Sequence, residues 1–197
     1  MFTRVLATPD ARVRLVAPVV ARDSALSVRW LNGTQGRDTL RMMGVPEREI
    51  RPPSLDEETD RVAGFIGRTD QYNWMIEFGG RIVGAIWVDL EPSAMLAAPA
   101  VSYMIGDPSA RGHGVAGAAL AAVLDFMSGQ GCPALYARAL VTNAASARVL
   151  LRAGFADVGD PYLEHGNGLI WRTFVMRDLA MRATGSRDDD RLRGGRT

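Results

Sequence analysis

Hydrophobic and polar positions follow two different periods along the chain, and the change from one to the other predicts strands and helices in mixed order. Short β-branched runs with a period of two are typical of strands, whereas stripes at three- and four-residue spacing are typical of helices. The runs with strand character span residues 13–20, 72–78, 81–90, 100–105, 134–141, 155–164 and 169–177. The stripes with helix character span residues 25–31, 36–43, 54–66, 115–127 and 143–153. This order predicts an α+β fold.

Several boundaries between these elements carry local signals. Asp23 and Ser24 are suitable N-caps for the first helix, and Ser54 and Glu57 have the spacing of a capping box for the third. The dipeptide Gly79-Gly80 lies between two runs of strand character. It predicts a tight hairpin, and therefore an antiparallel pair of strands.

The composition is that of one ordinary globular domain. Of the 197 residues, 47% are hydrophobic and 23% are charged, and the mean hydropathy is -0.01. The single cysteine, Cys132, excludes an intrachain disulfide framework and a cysteine-rich zinc module. We expect residues 1–183 to form the domain. Residues 184–197 have little apolar content, so they are predicted to be a disordered polar tail.

Charge and hydropathy argue against a dedicated nucleic-acid binder and a membrane protein, although a local basic patch stays open as an alternative. The 23 basic residues are all arginine and are balanced by 22 acidic ones, so the net charge is +1, which argues against direct binding of nucleic acid. Asp10, Arg12 and Arg14 interrupt the apolar stretch that a secretory signal would need. The most apolar helical stretch, residues 115–124, is shorter than the ~18 to 20 residues of a membrane span. We therefore expect a cytoplasmic protein that does not bind a membrane.

The segment between the predicted strand 100–105 and the predicted helix 115–127 has the chemistry of an anion-binding loop. Gly112, Gly114 and Gly117 let the backbone approach a ligand closely, and the start of the helix offers free N–H groups. Arg111 and His113 add positive charge. A phosphate-binding P-loop is excluded because it needs a lysine, and the glycine pattern of dinucleotide-binding folds is not matched. The alternative is a glycine-rich turn before an alanine-rich helix.

The spacing Arg111-x-x-Gly114-x-Ala116 resembles the pyrophosphate loop of the GNAT superfamily of acyl-CoA-dependent N-acetyltransferases. Downstream, Asn143-x-x-Ser146 on a helix that ends in Gly154-Phe155 is similar to the second signature of that superfamily. The resemblance covers the chain up to about residue 177. Within the superfamily, the sequence most resembles the branch of ribosomal-protein N-terminal acetyltransferases of the RimJ and RimL type. The positions that carry this finer likeness are Leu15, Arg22, Asp23, Trp30, Leu31, Asn32, Ser102 and Tyr103.

The resemblance implies a fold and a set of cofactor contacts. The fold would be a central mixed, mostly antiparallel sheet with helices on both faces, in which the parallel strands 100–105 and 134–141 splay apart to admit acetyl-CoA. Asn143 would bind the pantetheine arm with its side-chain amide. The backbone expected beside pantetheine is that of Tyr103, Met104 and Ile105. The backbone expected around the pyrophosphate is that of Arg111, Gly112, His113, Gly114, Val115 and Ala116.

The catalytic groups are less clearly implied, because two family positions are changed. Leu150 occupies the place where many members carry a tyrosine, so Ser146 is the candidate general acid for the leaving thiolate. Arg138 occupies the place where some N-terminal acetyltransferases carry a glutamate. The candidate bases are therefore on the late hairpin, Glu164 and His165, while Asp89, Glu91 and a water chain stay open as alternatives. No metal site is predicted, because His113 has no ligand at metal-binding spacing.

The expected activity is transfer of an acetyl group from acetyl-CoA to a primary amine, by direct attack in a ternary complex. The branch resemblance favours the N-terminal α-amine of a protein as the acceptor. A small-molecule or antibiotic amine is one alternative, and a non-catalytic acyl-CoA-binding module that meets a partner is another. A homodimer is also among the expectations, since the family often forms dimers.

Overall fold

The computed structural model describes residues 4–180, which form one sheet with helices on both faces. The strands are β1 (Leu6–Ala7), β2 (Val13–Val16), β3 (Gln71–Phe78), β4 (Arg81–Asp89), β5 (Ala100–Ile105), β6 (Leu135–Leu140), β7 (Ala156–Leu163) and β8 (Ile170–Met176). The helices are α1 (Val20–Leu31), α2 (Gly33–Met42), α3 (Leu55–Phe65), α4 (Val115–Gly129) and α5 (Ala144–Arg152). The predicted polar tail, residues 184–197, lies outside the described residues. Within them, no helix is both long and apolar enough to span a membrane.

The sheet is mostly antiparallel, with one parallel pair at its centre. The strand order is β1-β2-β3-β4-β5-β6-β8-β7, and among the described strands β5 and β6 are the only neighbours that pair in parallel. The helix α4 connects these two strands, as a parallel crossover requires. The predicted α+β class and mixed sheet are confirmed.

The two parallel strands separate almost as soon as they meet. A single register pair, Ala100 with Tyr136, joins β5 to β6, and both residues lie at the starts of their strands. By contrast, six register pairs join β4 to β5. The strands therefore diverge toward their carboxyl ends, and the opening leaves the backbone on the β6 side of β5 without a strand partner.

Strand alternation divides the side chains of β5 between the two faces of the sheet. Val101 belongs to the main core with α4 and α5, and Tyr103 and Ile105 pack against that core. Met104 instead packs with Trp30 of α1 in a smaller cluster on the other face. The opening between β5 and β6 is thus bordered by α4 and α5 on one side and by α1 and α2 on the other.

The first helix begins earlier than its caps predicted. β2 ends at Val16 and α1 begins at Val20, so Asp23 and Ser24 lie inside the helix and the N-cap assignment is wrong. The Asp23 carboxylate instead accepts the Val19 N–H at 2.7 Å, reaching back from the first turn. An acidic group there offsets the unpaired N–H groups and the helix dipole without occupying the cap position.

Two local predictions are confirmed. Gly79 and Gly80, with φ of 57° and 79°, form the turn between β3 and β4, as a two-residue hairpin with a right-handed twist requires. Ser54 caps α3, and its hydroxyl accepts the Glu57 N–H at 3.2 Å while the Glu57 carboxylate accepts the Ser54 N–H at 2.9 Å.

The pKa of Glu57 should be depressed to about 2, because its carboxylate accepts hydrogen bonds from the Arg51 side chain and then from the Ser54 N–H. A folded pKa below the unfolded value means that the stabilisation is complete above the unfolded pKa of about 4.3 and is lost as the pH falls toward 2. Carboxyl NMR titration checks this. Arg51→Ala should raise the pKa of Glu57, whereas Arg48→Ala, which removes an ion pair with Glu49, should not.

Candidate active site

The loop between β5 and α4 exposes backbone at the start of a long helix. Gly112 and Gly114 have φ of 80° and 77°, a left-handed conformation that glycine adopts without strain. Gly114 is the N-cap of α4, and a Cβ built there or on Gly112 would have no atom within 4 Å. The first N–H groups of a helix have no partner within it, so the start of α4 beside this uncrowded loop suits an anion such as a pyrophosphate.

The two cationic side chains of this loop have different surroundings. Arg111 donates from Nε to the Ile105 carbonyl at 3.0 Å and from Nη2 to Thr39 Oγ1 at 2.9 Å. Its guanidinium thus ties the loop to the end of β5 and to α2. The His113 ring is exposed and stacks on Phe78, with 6.0 Å between ring centroids. The His113 ring is therefore the polar side chain of the loop that remains open to a ligand, whereas Arg111 acts mainly through the position it gives the backbone.

Across the opening, Asn143 begins α5 and contacts α2. Its Oδ1 accepts the Ser146 N–H at 3.1 Å, so it caps the helix, and its Nδ2 donates to the Met42 carbonyl at 3.1 Å. Both ends of the Asn143 amide are therefore bonded within the protein. Together with the Arg111 contact to Thr39, this places the last turn of α2 across the open end of the β5–β6 gap.

Ser146 and Tyr103 meet on the face of the sheet that α4 and α5 cover. The Tyr103 hydroxyl lies 2.9 Å from Ser146 Oγ and also donates toward the Ser146 carbonyl at 3.3 Å. Burial raises the pKa of Tyr103, and the hydrogen bond with Ser146 only partly opposes this, so the phenol stays protonated at neutral pH. The sequence analysis used only the backbone of Tyr103 and missed its side chain. The alternation along β5 was the available signal, because it directs residue 103 toward the helices.

On the opposite face, the late hairpin holds a charged cluster around Glu164. The Glu164 carboxylate accepts from Arg138 at 3.0 Å, from the Trp171 indole N–H at 3.1 Å and from the Asn167 amide. The Arg138 guanidinium lies 4.0 Å from the centroid of the Trp171 ring. Burial acts to raise the pKa of Glu164, but the hydrogen bonds from Asn167 and Arg138 outweigh it, so the pKa is lowered. Glu164 is therefore ionised at neutral pH, and the neighbouring His165 is exposed.

The structure brings these groups to the two sides of one opening. Trp171 touches the chain just after α2, because a Cβ on Gly44 would lie 2.3 Å from the indole. The Glu164 cluster is thus on the α1 and α2 side, whereas Ser146 and Tyr103 are on the α4 and α5 side. The alternative bases lie elsewhere. Asp89 lies opposite Ala100 in the strand register, at the closed end of the β5–β6 gap. Glu91 lies two residues after Asp89 in the chain.

Among the described residues, no group of three or more His, Cys, Asp or Glu side chains could hold a metal ion.

Comparison with known proteins agrees with this geometry. The family model described as "Acetyltransferase (GNAT) domain" matches residues 12–156. No curated protein matches the sequence. Among solved structures, RimL, a ribosomal L7/L12 alpha-N-protein acetyltransferase in complex with coenzyme A, has a TM-score of 0.72 and 18% identity over 90% of this chain and 99% of its own.

Two further solved structures are similar in fold. RimJ from Mycobacterium smegmatis, in complex with CoA-disulfide, has a TM-score of 0.67 and 22% identity over 94% of this chain and 95% of its own. Spermidine N-acetyltransferase from Vibrio cholerae, in complex with CoA and spermine, has a TM-score of 0.69 and 15% identity over 86% of this chain and 97% of its own. At these identities the likeness concerns the fold.

Proposed function

The chain belongs to the GNAT family of acetyltransferases, and from this premise we propose that it transfers an acetyl group from acetyl-CoA to the N-terminal α-amine of a protein, by direct attack in a ternary complex. One observation carries the proposal: the only parallel pair in the described sheet opens next to a glycine loop that begins a helix. An extended chain with a phosphate at its end fits that combination of a free strand edge and a helix N-terminus.

The residues around the opening suit acetyl-CoA. The backbone of Tyr103, Met104 and Ile105 forms the free edge of β5 that would pair with the amides of pantetheine. The backbone from Arg111 to Ala116 would hold the pyrophosphate, and the exposed His113 ring could donate a hydrogen bond to it. Asn143 Nδ2 donates one of its two N–H groups to the Met42 carbonyl, so its second N–H is the donor that would bind pantetheine. The thioester supplies an activated acetyl group.

The two faces of the sheet support separate acid and base roles. Ser146 lies on the α5 side, where a hydroxyl could protonate a leaving thiolate. Glu164 and His165 lie on the hairpin side, where an acceptor amine would enter. The ionised Glu164 would attract a cationic amine, and the exposed imidazole of His165 is the candidate to accept a proton from that amine. An acid and a base on opposite sides of one gap favour direct transfer over a covalent acyl-enzyme.

The acceptor is the finer part of the proposal. The α-amine of a protein N-terminus is supported by the likeness to RimL and RimJ and by the sequence positions shared with that branch. A polyamine or other small amine is the second candidate, because the spermidine enzyme has a TM-score nearly equal to that of RimL. A cytoplasmic location, a homodimer and the lack of direct nucleic-acid binding stay predictions.

Calorimetric titration with acetyl-CoA, free CoA and NAD tests the cofactor. We expect saturable binding of both CoA species and none of NAD; failure of acetyl-CoA to bind would contradict the proposal. Release of CoA is then measured with peptides of varied N-terminal residue and with spermidine. Turnover with free peptides but not with N-formylated copies is expected for an α-amine acceptor. Turnover with spermidine alone would instead support the small-amine candidate, and binding without any turnover would indicate a non-catalytic module.

A further inference from the structure

We propose that Tyr103 is a catalytic residue whose phenol delivers, through Ser146 Oγ, the proton that the departing sulfur takes up. The inference rests on the proposed function, since it concerns the acid of that same reaction. It gives the side chain of Tyr103 a role separate from the backbone contacts of β5.

The contact that carries the inference joins two elements far apart in the chain. The Tyr103 hydroxyl is 2.9 Å from Ser146 Oγ, within the distance of a hydrogen bond between hydroxyl groups. Tyr103 lies on β5, the strand that borders the opening. Ser146 lies on the first turn of α5, on the other side of that opening. The pair therefore bridges the gap that would receive the thioester arm.

Position 150, where many members of the family carry a tyrosine, holds a leucine and cannot supply a phenol. Leu150, one turn after Ser146 on α5, is buried in the main core with 1% of its surface exposed. The phenol of Tyr103 reaches Ser146 from the strand instead of from the helix. A hydroxyl pair thereby replaces a single side chain, and each member depends on the other for its orientation.

The proton path follows from the two hydroxyl groups. As the amine nitrogen bonds to the acetyl carbon and the carbon–sulfur bond breaks, Ser146 donates its Oγ proton to the sulfur, which keeps the electron pair of the broken bond. The phenolic proton of Tyr103, which can point toward the Ser146 carbonyl or toward Oγ, passes to Ser146 Oγ in the same event. The amine loses one proton to the base on the other face, and the base then releases it to solvent. The phenolate takes up one proton from solvent, so charge and protons balance over the cycle. A phenol, whose ordinary pKa is about 10, is a stronger acid than a serine hydroxyl, so it can replace the proton that Ser146 gives up.

The first test is a set of substitutions. Tyr103→Phe keeps the ring and removes the proton, so we expect kcat to fall about 100-fold while the Kd for acetyl-CoA stays within about threefold. Ser146→Ala should cause a similar loss, also with little change in binding. The double variant should be no slower than the slower single variant, because a relay is broken once. Tyr72→Phe is the matched control, since its phenol lies on the same face of the sheet but packs against Trp74 and Phe126.

The second test separates proton donation from a structural role. A fluorinated tyrosine at position 103 has a more acidic phenol and nearly the same shape. Activity should persist, and the basic limb of the kcat profile should move to lower pH, because the phenol then loses its proton earlier. A basic limb that does not move, or a Tyr103→Phe variant within threefold of wild type, would overturn the inference and leave the proposed function intact. A wild-type protein that binds acetyl-CoA but acetylates no amine would overturn both.

Discussion

Gly114→Glu is expected to lower the affinity for acetyl-CoA at least 100-fold, a loss of about 2.7 kcal/mol in binding free energy. Gly114 is the N-cap of α4, with a φ of 77° and no atom within 4 Å of a Cβ built there. The first N–H groups of a helix have no partner within it and can bind an anion. A glutamate there would place a carboxylate beside those donors and occupy the space of the pyrophosphate. Like charges in the same small site repel, and the helix dipole would then be neutralised from within the protein. Calorimetry on the purified variant measures the effect.

Two control variants separate charge from backbone strain. Gly114→Ala carries the cost of a left-handed non-glycine residue, about 1–2 kcal/mol, without the carboxylate, so it should destabilise the loop yet keep most of the affinity. Gly129→Glu adds the same carboxylate at the other end of α4, where a Cβ meets no atom within 4 Å, and should leave binding unchanged. If Gly114→Glu binds acetyl-CoA as tightly as Gly114→Ala does, the loop from Arg111 to Ala116 is not the pyrophosphate site.

Features encoded in a few consecutive residues could be predicted from the sequence. The Gly79-Gly80 hairpin, the Ser54 capping box and the strand Ala100–Ile105 all depend on neighbours within a few positions. The start of α1 was placed five residues late because Asp23, a good cap by type, acts instead from inside the first turn. The residue type alone does not show whether an aspartate is the N-cap of a helix or lies within its first turn.

The side-chain pairs of the site could not be predicted, because each joins residues that only the tertiary fold brings together. Tyr103 and Ser146 are 43 positions apart, and Arg138 and Glu164 are 26 apart. The sequence identified Arg138 as a departure from the family and Glu164 as a candidate base, but it did not show that the two form one ion pair. A substitution of one residue in such a pair therefore also changes the surroundings of its partner. Removal of Arg138 would alter the group proposed to attract the amine.

Gly84→Ala is expected to destabilise the protein by about 3 kcal/mol, at the upper end of what an overpacked side chain usually costs. A Cβ on Gly84 would lie 2.1 Å from the Met104 carbonyl oxygen, and that backbone atom cannot move aside as a flexible side chain can. The register between β3 and β4 shifts next to Gly84, with Val83 as the extra residue of a bulge, so the ladder is already irregular at this point. For a chain of this size, the melting temperature should fall by about 6–12 °C.

The expected loss of stability is linked to the site, because Gly84 packs against β5 on the edge opposite the opening. If β5 moves away from the new methyl group, Met104 and Ile105 enter the gap, and the affinity for acetyl-CoA should fall together with the melting temperature.

Gly64→Ala is the matched control. Gly64 lies in α3, where a Cβ meets no atom within 4 Å, so alanine should stabilise the helix by about 0.5–1 kcal/mol and leave binding unchanged. A Gly84→Ala variant that melts at the wild-type temperature would mean that β4 and β5 are less closely packed than this contact requires. A variant that melts early but binds normally would show that β4, and not β5, gives way.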